Sequence, residues 1–267
     1  MSMSTIAAWL RGLPIAAVMA CAQAVCPVDR PIQAGTYEYG INYKPQTHSG
    51  LDLDLLDELQ QRTGCQFVPV YDSRVRLWEQ FTDGKLDMMA SVLMTPDREQ
   101  MARFIIHSYV RTVVLIRPRP DFPATPEAFL ANHRLLIGTV NSYRYSPGAD
   151  EWVNALRAQH RTYEAPDVAT LLKVFDAGRV AAIPVGAEAR ALIAQQSATE
   201  PPMQRLDWFK DHPKAADGLA LSRQRLPDAL ADRFQEVIDQ MRTDGTLLRI
   251  AEKYFDHDTA VDYISSD

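Results

Sequence analysis

The sequence predicts an α/β fold made of two similar units, and three observations carry that prediction. In the first third of the chain, apolar runs of strand length alternate with helical faces in the order β-α-β-α-β. The connections are short enough to demand a parallel sheet with right-handed crossovers. Phe81-Thr82-Asp83-Gly84-Lys85-Leu86 is then echoed by Phe175-Asp176-Ala177-Gly178-Arg179-Val180: a helix end, a glycine stop, a base and an apolar strand. Finally, the 267 residues are 46% hydrophobic and 23% charged, which suffices for one large domain or two lobes.

Each element has its own local reason. Residues 32–39 mix β-branched and aromatic side chains and read as a strand. Leu51, Leu55, Leu56 and Leu59 share one helical face, and Gly64 supplies the left-handed stop. Residues 66–70 form a short strand. Leu77, Trp78 and Phe81 mark a helix ended by Gly84, and residues 86–92 are apolar enough for a buried parallel strand. Thr95-Pro96 opens a further helix as a cap followed by proline. Strands follow at 113–116 and 135–140, joined by the stiff Arg117-Pro118-Arg119-Pro120 segment. Leu171, Leu172, Val174 and Phe175 form a helical face before a strand at 180–185. Leu230, Phe234, Val237, Ile238 and Met241 predict a long amphipathic helix, broken at Asp244-Gly245, with a last short helix over 247–255.

The amino terminus and the charge narrow the functional classes. Residues 1–24 carry Arg11 as their only charge, then an apolar run from Leu13 to Ala20, then Ala22-Gln23-Ala24. That pattern predicts a secretory leader cut after Ala24. A buried helix and lipidation at Cys21 are the alternatives. No later run is long enough to span a bilayer, so a soluble, monomeric, periplasmic protein is expected. Net charge is −6, from 34 acids against 28 bases, which speaks against nucleic acid as a partner. The histidines lack metal-ligand spacing, and neither a nucleophile elbow nor a phosphate-binding glycine loop is present, so no cofactor or metal is expected. Cys26 precedes the first strand and Cys65 opens the second. If those strands are neighbours, an oxidising compartment favours a Cys26–Cys65 disulfide over two free buried thiols.

Four motifs carry a family likeness. Gly50-Leu51-Asp52-Leu53-Asp54-Leu55-Leu56 looks like a Gly-Phe-Asp-x-Asp-Leu helix start, and Gly84-Lys85-Leu86-Asp87 is similar to Gly-Lys-x-Asp before a third strand. Thr95-Pro96-Asp97-Arg98 with Phe104 and Tyr109 resembles a Thr-x-x-Arg…Phe…Tyr signature. Asp244-Gly245-Thr246-Leu247 through Lys253-Tyr254-Phe255 looks like a C-terminal one. Together they resemble the family 3 bacterial extracellular solute-binding proteins. The resemblance implies a type II periplasmic binding-protein fold. Lobe 1 would comprise residues 25–111 and 218–267, and lobe 2 residues 112–217. Hinge segments would lie near residues 110–114 and 217–221.

The resemblance also implies a site. Arg98 would hold a ligand carboxylate through its planar fork. Ser91, at a strand end, would contact the ligand or satisfy local backbone, and Leu93 stands where the family often has a hydroxyl. Tyr37, Tyr39 and Tyr43 cluster where the family packs an aromatic against the ligand, with Tyr39 slightly favoured. Arg74 would bind a second anionic group or be surface charge. Ser142, Tyr143 and Arg144 would form the second lobe's anion loop. Residues 184–186, Pro184-Val185-Gly186, replace the acid that usually meets a ligand ammonium, and Glu188 is the candidate substitute. Asp52 and Asp87 read as structural, the first capping a helix and the second anchoring a strand turn. A small anionic ligand and the permease of an ABC importer are the expected partners. A dehydratase-like enzyme on the same fold, with Glu188 as general acid, and a sensory module are the alternatives.

Overall fold

The computed structural model describes residues 26–190 and 203–266. The expected leader, its cleavage site after Ala24 and Cys21 lie outside the described residues.

The chain opens with β1 (Ile32–Thr36), α1 (Leu51–Thr63), β2 (Phe67–Tyr71), α2 (Arg74–Thr82) and β3 (Met88–Leu93). The glycine stop after α1 behaves as the sequence demands: Gly64 takes φ 70° and its N–H donates to the Gln60 carbonyl. β3 is buried at every position, as its unbroken apolar run requires. The first strand ends at Thr36, three residues earlier than the sequence suggests. Tyr37 and Tyr39 leave the sheet to pack elsewhere.

Next come α3 (Pro96–Glu99), β4 (Ala102–Val110), β5 (Val113–Ile116), α4 (Pro126–Ala131) and β6 (Ile137–Val140). They are followed by α5 (Ala149–Ala158), β7 (Thr162–Ala165), α6 (Val168–Asp176), β8 (Ala182–Val185) and β9 (Gln204–Leu206). The chain closes with β10 (Ala215–Ser222), α7 (Asp228–Thr243), α8 (Thr246–Glu252) and α9 (His257–Ile264).

These strands form two five-stranded sheets, ordered β2-β1-β3-β10-β4 and β7-β6-β8-β5-β9. In the first, β1 pairs in parallel with β2 and β3, while β10 runs antiparallel to β3 and β4. The second repeats the scheme, with β6 parallel to β7 and β8, and β5 antiparallel to β8 and β9. Each sheet and its helices make a lobe. The first sheet takes its strands from residues 32–110 and 215–222, and the second from residues 113–206. Asp217 to Leu221 lie within β10, paired with β3 and β4.

β1 and β2 are parallel neighbours, with Ile32 opposite Phe67, and a Cys26–Cys65 disulfide joins the segments that lead into them. Asp87 anchors the start of β3. Its buried carboxylate accepts hydrogen bonds from Arg30, Arg225 and the Gln33 N–H. Asp52 departs from the expected capping role: Gly50 is the N-cap of α1, and no side chain caps it. The Asp52 carboxylate instead points inward to Ser91. Among the described residues, no helix is long and apolar enough to cross a membrane.

Candidate functional site

The Ser73 hydroxyl accepts from the Arg76 N–H and starts α2, placing Arg74 in its first turn. Arg74 is only 5% exposed. Its guanidinium lies over the Tyr37 ring at 4.4 Å and the Tyr143 ring at 5.2 Å. Its Nε donates to the Ser142 carbonyl at 3.1 Å. Nη1 and Nη2 are both buried and make no hydrogen bond.

Arg98 in α3 is equally buried. Its Nη1 donates to the Leu93 carbonyl at 2.9 Å and its Nη2 to the Ser142 carbonyl at 3.3 Å, while its guanidinium rests 4.8 Å above the Trp78 ring. Burial, reinforced by neighbouring Arg74, pushes its pKa down to about 9. Two guanidinium groups from the first lobe thus converge on one main-chain oxygen of the second.

That oxygen belongs to a residue in an unusual conformation. Ser142 has φ 58°, and Ser91, at the end of β3, has φ 48°. Left-handed non-glycine residues are uncommon and concentrate at functional sites. The Ser91 hydroxyl donates to Asp52 Oδ1 at 2.5 Å, and its carbonyl accepts from the Tyr37 hydroxyl at 2.6 Å. Tyr37 is thereby fixed beneath Arg74.

Tyr39 and Tyr143 stack across the lobes, with centroids 4.1 Å apart. Burial raises the pKa of both hydroxyls, which keeps them protonated. Tyr43 lies apart from this group. It packs 5.1 Å from the Tyr71 ring and hydrogen-bonds His48 at 3.2 Å. Arg144 is half-exposed and paired with Asp97 and Asp150, each at 3.2 Å. The Asp97 pair joins a helix of the first lobe to a loop of the second.

Glu188 is buried, with Oε2 lacking a hydrogen bond. Burial raises its pKa to about 7, against the opposing pull of Arg190, Tyr263 and Arg74. A side-chain carbon on Gly186 would sit 2.5 Å from that Oε2 and 3.2 Å from the Tyr143 hydroxyl, so a larger residue there would displace the Glu188 carboxyl. Asp52 is pushed up to about 7 by burial, and its Oδ2 also lacks a partner. Asp217, buried in β10, accepts from the Ser108 hydroxyl at 3.0 Å. Burial, then Glu188, raises its pKa well above the carboxylate range.

Asp52, Asp217, Trp78 and Tyr263 were not among the site residues that the sequence predicts. Asp52 carried a signal in the Gly-x-Asp helix start, whose acid has no capping work to do. Asp217 carried none, because its place depends on β10 pairing across more than a hundred residues with Ser108. The group as assembled offers guanidinium donors, flat aromatic walls and orphaned carboxyl oxygens. These are the parts needed to enclose a small molecule bearing both an anion and a hydrogen-bond donor.

Comparison with known proteins follows the same lines. The family model for bacterial extracellular solute-binding proteins, family 3, matches residues 32–257. No curated protein sequence matches significantly. Among solved structures, an ancestral arginine-binding protein bound to glutamine superposes with a TM-score of 0.69 at 17% identity, covering 84% of this chain and 97% of that one. The arginine-, lysine-, histidine-binding protein ArtJ from the thermophilic bacterium Geobacillus stearothermophilus gives 0.68 at 17% identity, covering 85% and 95%. The ancestral amino acid-binding protein AncCDT-1, described as a precursor of cyclohexadienyl dehydratase, gives 0.68 at 17%, covering 84% and 95%. The fold is the two-lobed type II fold of periplasmic amino-acid-binding proteins. With its two matching sheets and a family model spanning nearly all the described residues, the chain belongs to family 3 of the bacterial extracellular solute-binding proteins.

Proposed function

We propose that this protein is a periplasmic receptor that closes its lobes around a small carboxylate-bearing ligand and delivers it to an ABC importer. The observation that supports this most is the convergence of Arg74 and Arg98, from one lobe, on the Ser142 carbonyl of the other. Arginines buried at a lobe boundary favour an anion there, and an anion that touches both lobes favours the closed state. Glu188 and Asp52, each with an unpartnered oxygen, give a ligand ammonium or hydroxyl somewhere to donate. An amino acid therefore fits despite the Pro184-Val185-Gly186 sequence.

A thermal-shift panel of amino acids, dicarboxylates and aromatic acids tests the reading. A specific ligand raises the melting temperature by linkage, and small-angle scattering shows a more compact particle with it bound. The double variant Arg74→Met with Arg98→Met loses the response. A double variant that still responds places the ligand elsewhere. Uptake of the labelled ligand by cells with and without this protein tests delivery.

A second reading has its own support in Glu188, a buried carboxyl held up to about 7 near two arginines. That suits a general acid acting on an arginine-bound acid, as in a dehydratase. Mass spectrometry of each stabilising acid after incubation distinguishes the two, since a receptor returns its ligand unchanged.

A further inference from the structure

Among the described residues, neither Arg74 nor Arg98 meets a carboxylate. Arg74 donates through Nε to the Ser142 carbonyl, and Arg98 donates to the carbonyls of Leu93 and Ser142. Every one of these partners is a neutral main-chain oxygen. Both side chains are buried, so two positive charges sit together out of water with no counter-charge in contact. Asp52 and Glu188 do not supply one. Burial holds both up at about 7, Asp52 Oδ1 accepts from Ser91, and Asp52 Oδ2 and Glu188 Oε2 have no hydrogen-bond partner.

Both guanidinium groups also hold donors in reserve. An arginine carries five N–H bonds. Arg98 spends two of them, on Leu93 and Ser142, and keeps the rest for a ligand. Arg74 spends only its Nε, which leaves Nη1 and Nη2 buried and unpartnered. A buried donor with nothing to meet is costly, and an anion that arrives there removes the cost. Aromatic rings steady each group: those of Tyr37 and Tyr143 lie against Arg74, and that of Trp78 lies against Arg98. Arg74 Nε and Arg98 Nη2 reach the same oxygen, at 3.1 and 3.3 Å, so the two forks are immediate neighbours. Anionic groups that pair with both must lie close together on a short scaffold.

Resting on the carboxylate-receptor reading above, we propose that the ligand is a short dicarboxylate, with one carboxylate held by Arg98 and the second by the unpartnered Nη1 and Nη2 edge of Arg74. Its two negative charges match the two buried positive ones, so closure around it leaves neither guanidinium unpaired. The mono-amide of the same diacid has the same shape and leaves Arg74 facing a neutral group. That penalty is what selects the diacid.

Titration calorimetry on the full chain, with pairs of compounds that differ by one charge and scarcely in shape, tests this. The pairs are succinate and succinamate, aspartate and asparagine, glutamate and glutamine. In the wild-type protein the best diacid binds at least about 100-fold tighter than its mono-amide. Arg74→Met brings that ratio below about 5, and Arg74→Lys restores it to about 10, because the charge returns without the fork. Arg98→Met removes measurable binding of diacid and mono-amide alike. Ligand-free melts check that each variant folds, and Arg74→Gln replaces Arg74→Met if the latter does not. A wild-type ratio of about 1, or a ratio that neutralising Arg74 leaves unchanged, overturns the proposal and leaves the receptor reading intact. So does a protein that responds only to monocarboxylates. Inorganic phosphate that binds more tightly than every diacid also overturns it, because both arginines then grip one compact anion. A wild-type protein that responds to no carboxylate rejects both readings together.

Discussion

The Tyr39 ring lies flat on the Tyr143 ring, 13° from parallel, although Tyr39 follows a strand of the first sheet and Tyr143 follows a strand of the second. The contact exists only when the lobes are together, so its energy belongs to closure and not to the folding of either lobe. Stacked pairs contribute about 0.5–1.5 kcal/mol beyond burial. Tyr39→Ala should therefore weaken ligand binding about 2–10-fold, with little change in ligand-free melting temperature. A parallel titration and melt check this. A large loss of ligand-free stability would instead assign Tyr39 to the core of its own lobe.

Gly40 makes a still closer contact. It has φ 60°, and a side-chain carbon there would meet the Glu188 carbonyl oxygen at 2.1 Å. Gly40→Ala should leave circular dichroism unchanged and keep the lobes apart. It should lower affinity at least about 10-fold and suppress ligand-induced compaction in small-angle scattering. Wild-type compaction in Gly40→Ala would mean that the two backbones do not meet in the bound state.

Acid and base oppose each other in this molecule. Burial raises Glu188 and Asp52 to about 7 and also pushes Asp217 well above the ordinary carboxylate range. The stability these protonated carboxyls contribute is present below the ordinary carboxylate range and lost as pH rises through about 7. His107, buried in β4 with Nε2 unpartnered, is pushed down to about 3 by burial and by Arg242. Its contribution runs the other way, present above 6.5 and lost as pH falls toward 3. Melting temperature should peak at mildly acidic pH. Glu188→Gln should flatten the alkaline limb and His107→Leu the acid limb, as read from melts across the pH range. A single limb unaffected by both variants would remove these groups as its cause.

The Cys26–Cys65 bridge closes a loop of 39 residues. Chain-entropy arguments put the stabilisation of such a loop at about 4 kcal/mol. Reduction, or the double change Cys26→Ser with Cys65→Ser, should lower the melting temperature by about 10 °C. A shift below about 2 °C would indicate that the unfolded chain gains little freedom there.

Much of this architecture was legible because it is local. Gly64 and Gly84 stop helices where an apolar face ends, residues 88–93 are apolar without interruption, and Cys26 and Cys65 lead into adjacent strands. β4 was missed because Arg103 and His107 interrupt its apolar pattern, and it is recognisable only once β10 lies against it. The first-turn arginine of a short helix looks like surface charge in sequence, so nothing local told that Arg74 is buried. Its environment is made by Tyr37, which follows β1, and by Tyr143 of the other lobe. Residues that face one another across a cleft share no sequence period.

The position of β10 between β3 and β4 has a consequence for how the molecule comes into being. The second sheet is encoded in one uninterrupted stretch, from Val113 to Leu206, and can assemble as soon as that stretch is available. The first sheet cannot. Until residues 215–222 arrive, its longest strand, β4, has no neighbour, and β3 lacks one of its own. The lobe made first therefore finishes last, and its half-built edge must be kept from pairing with other chains in the interval.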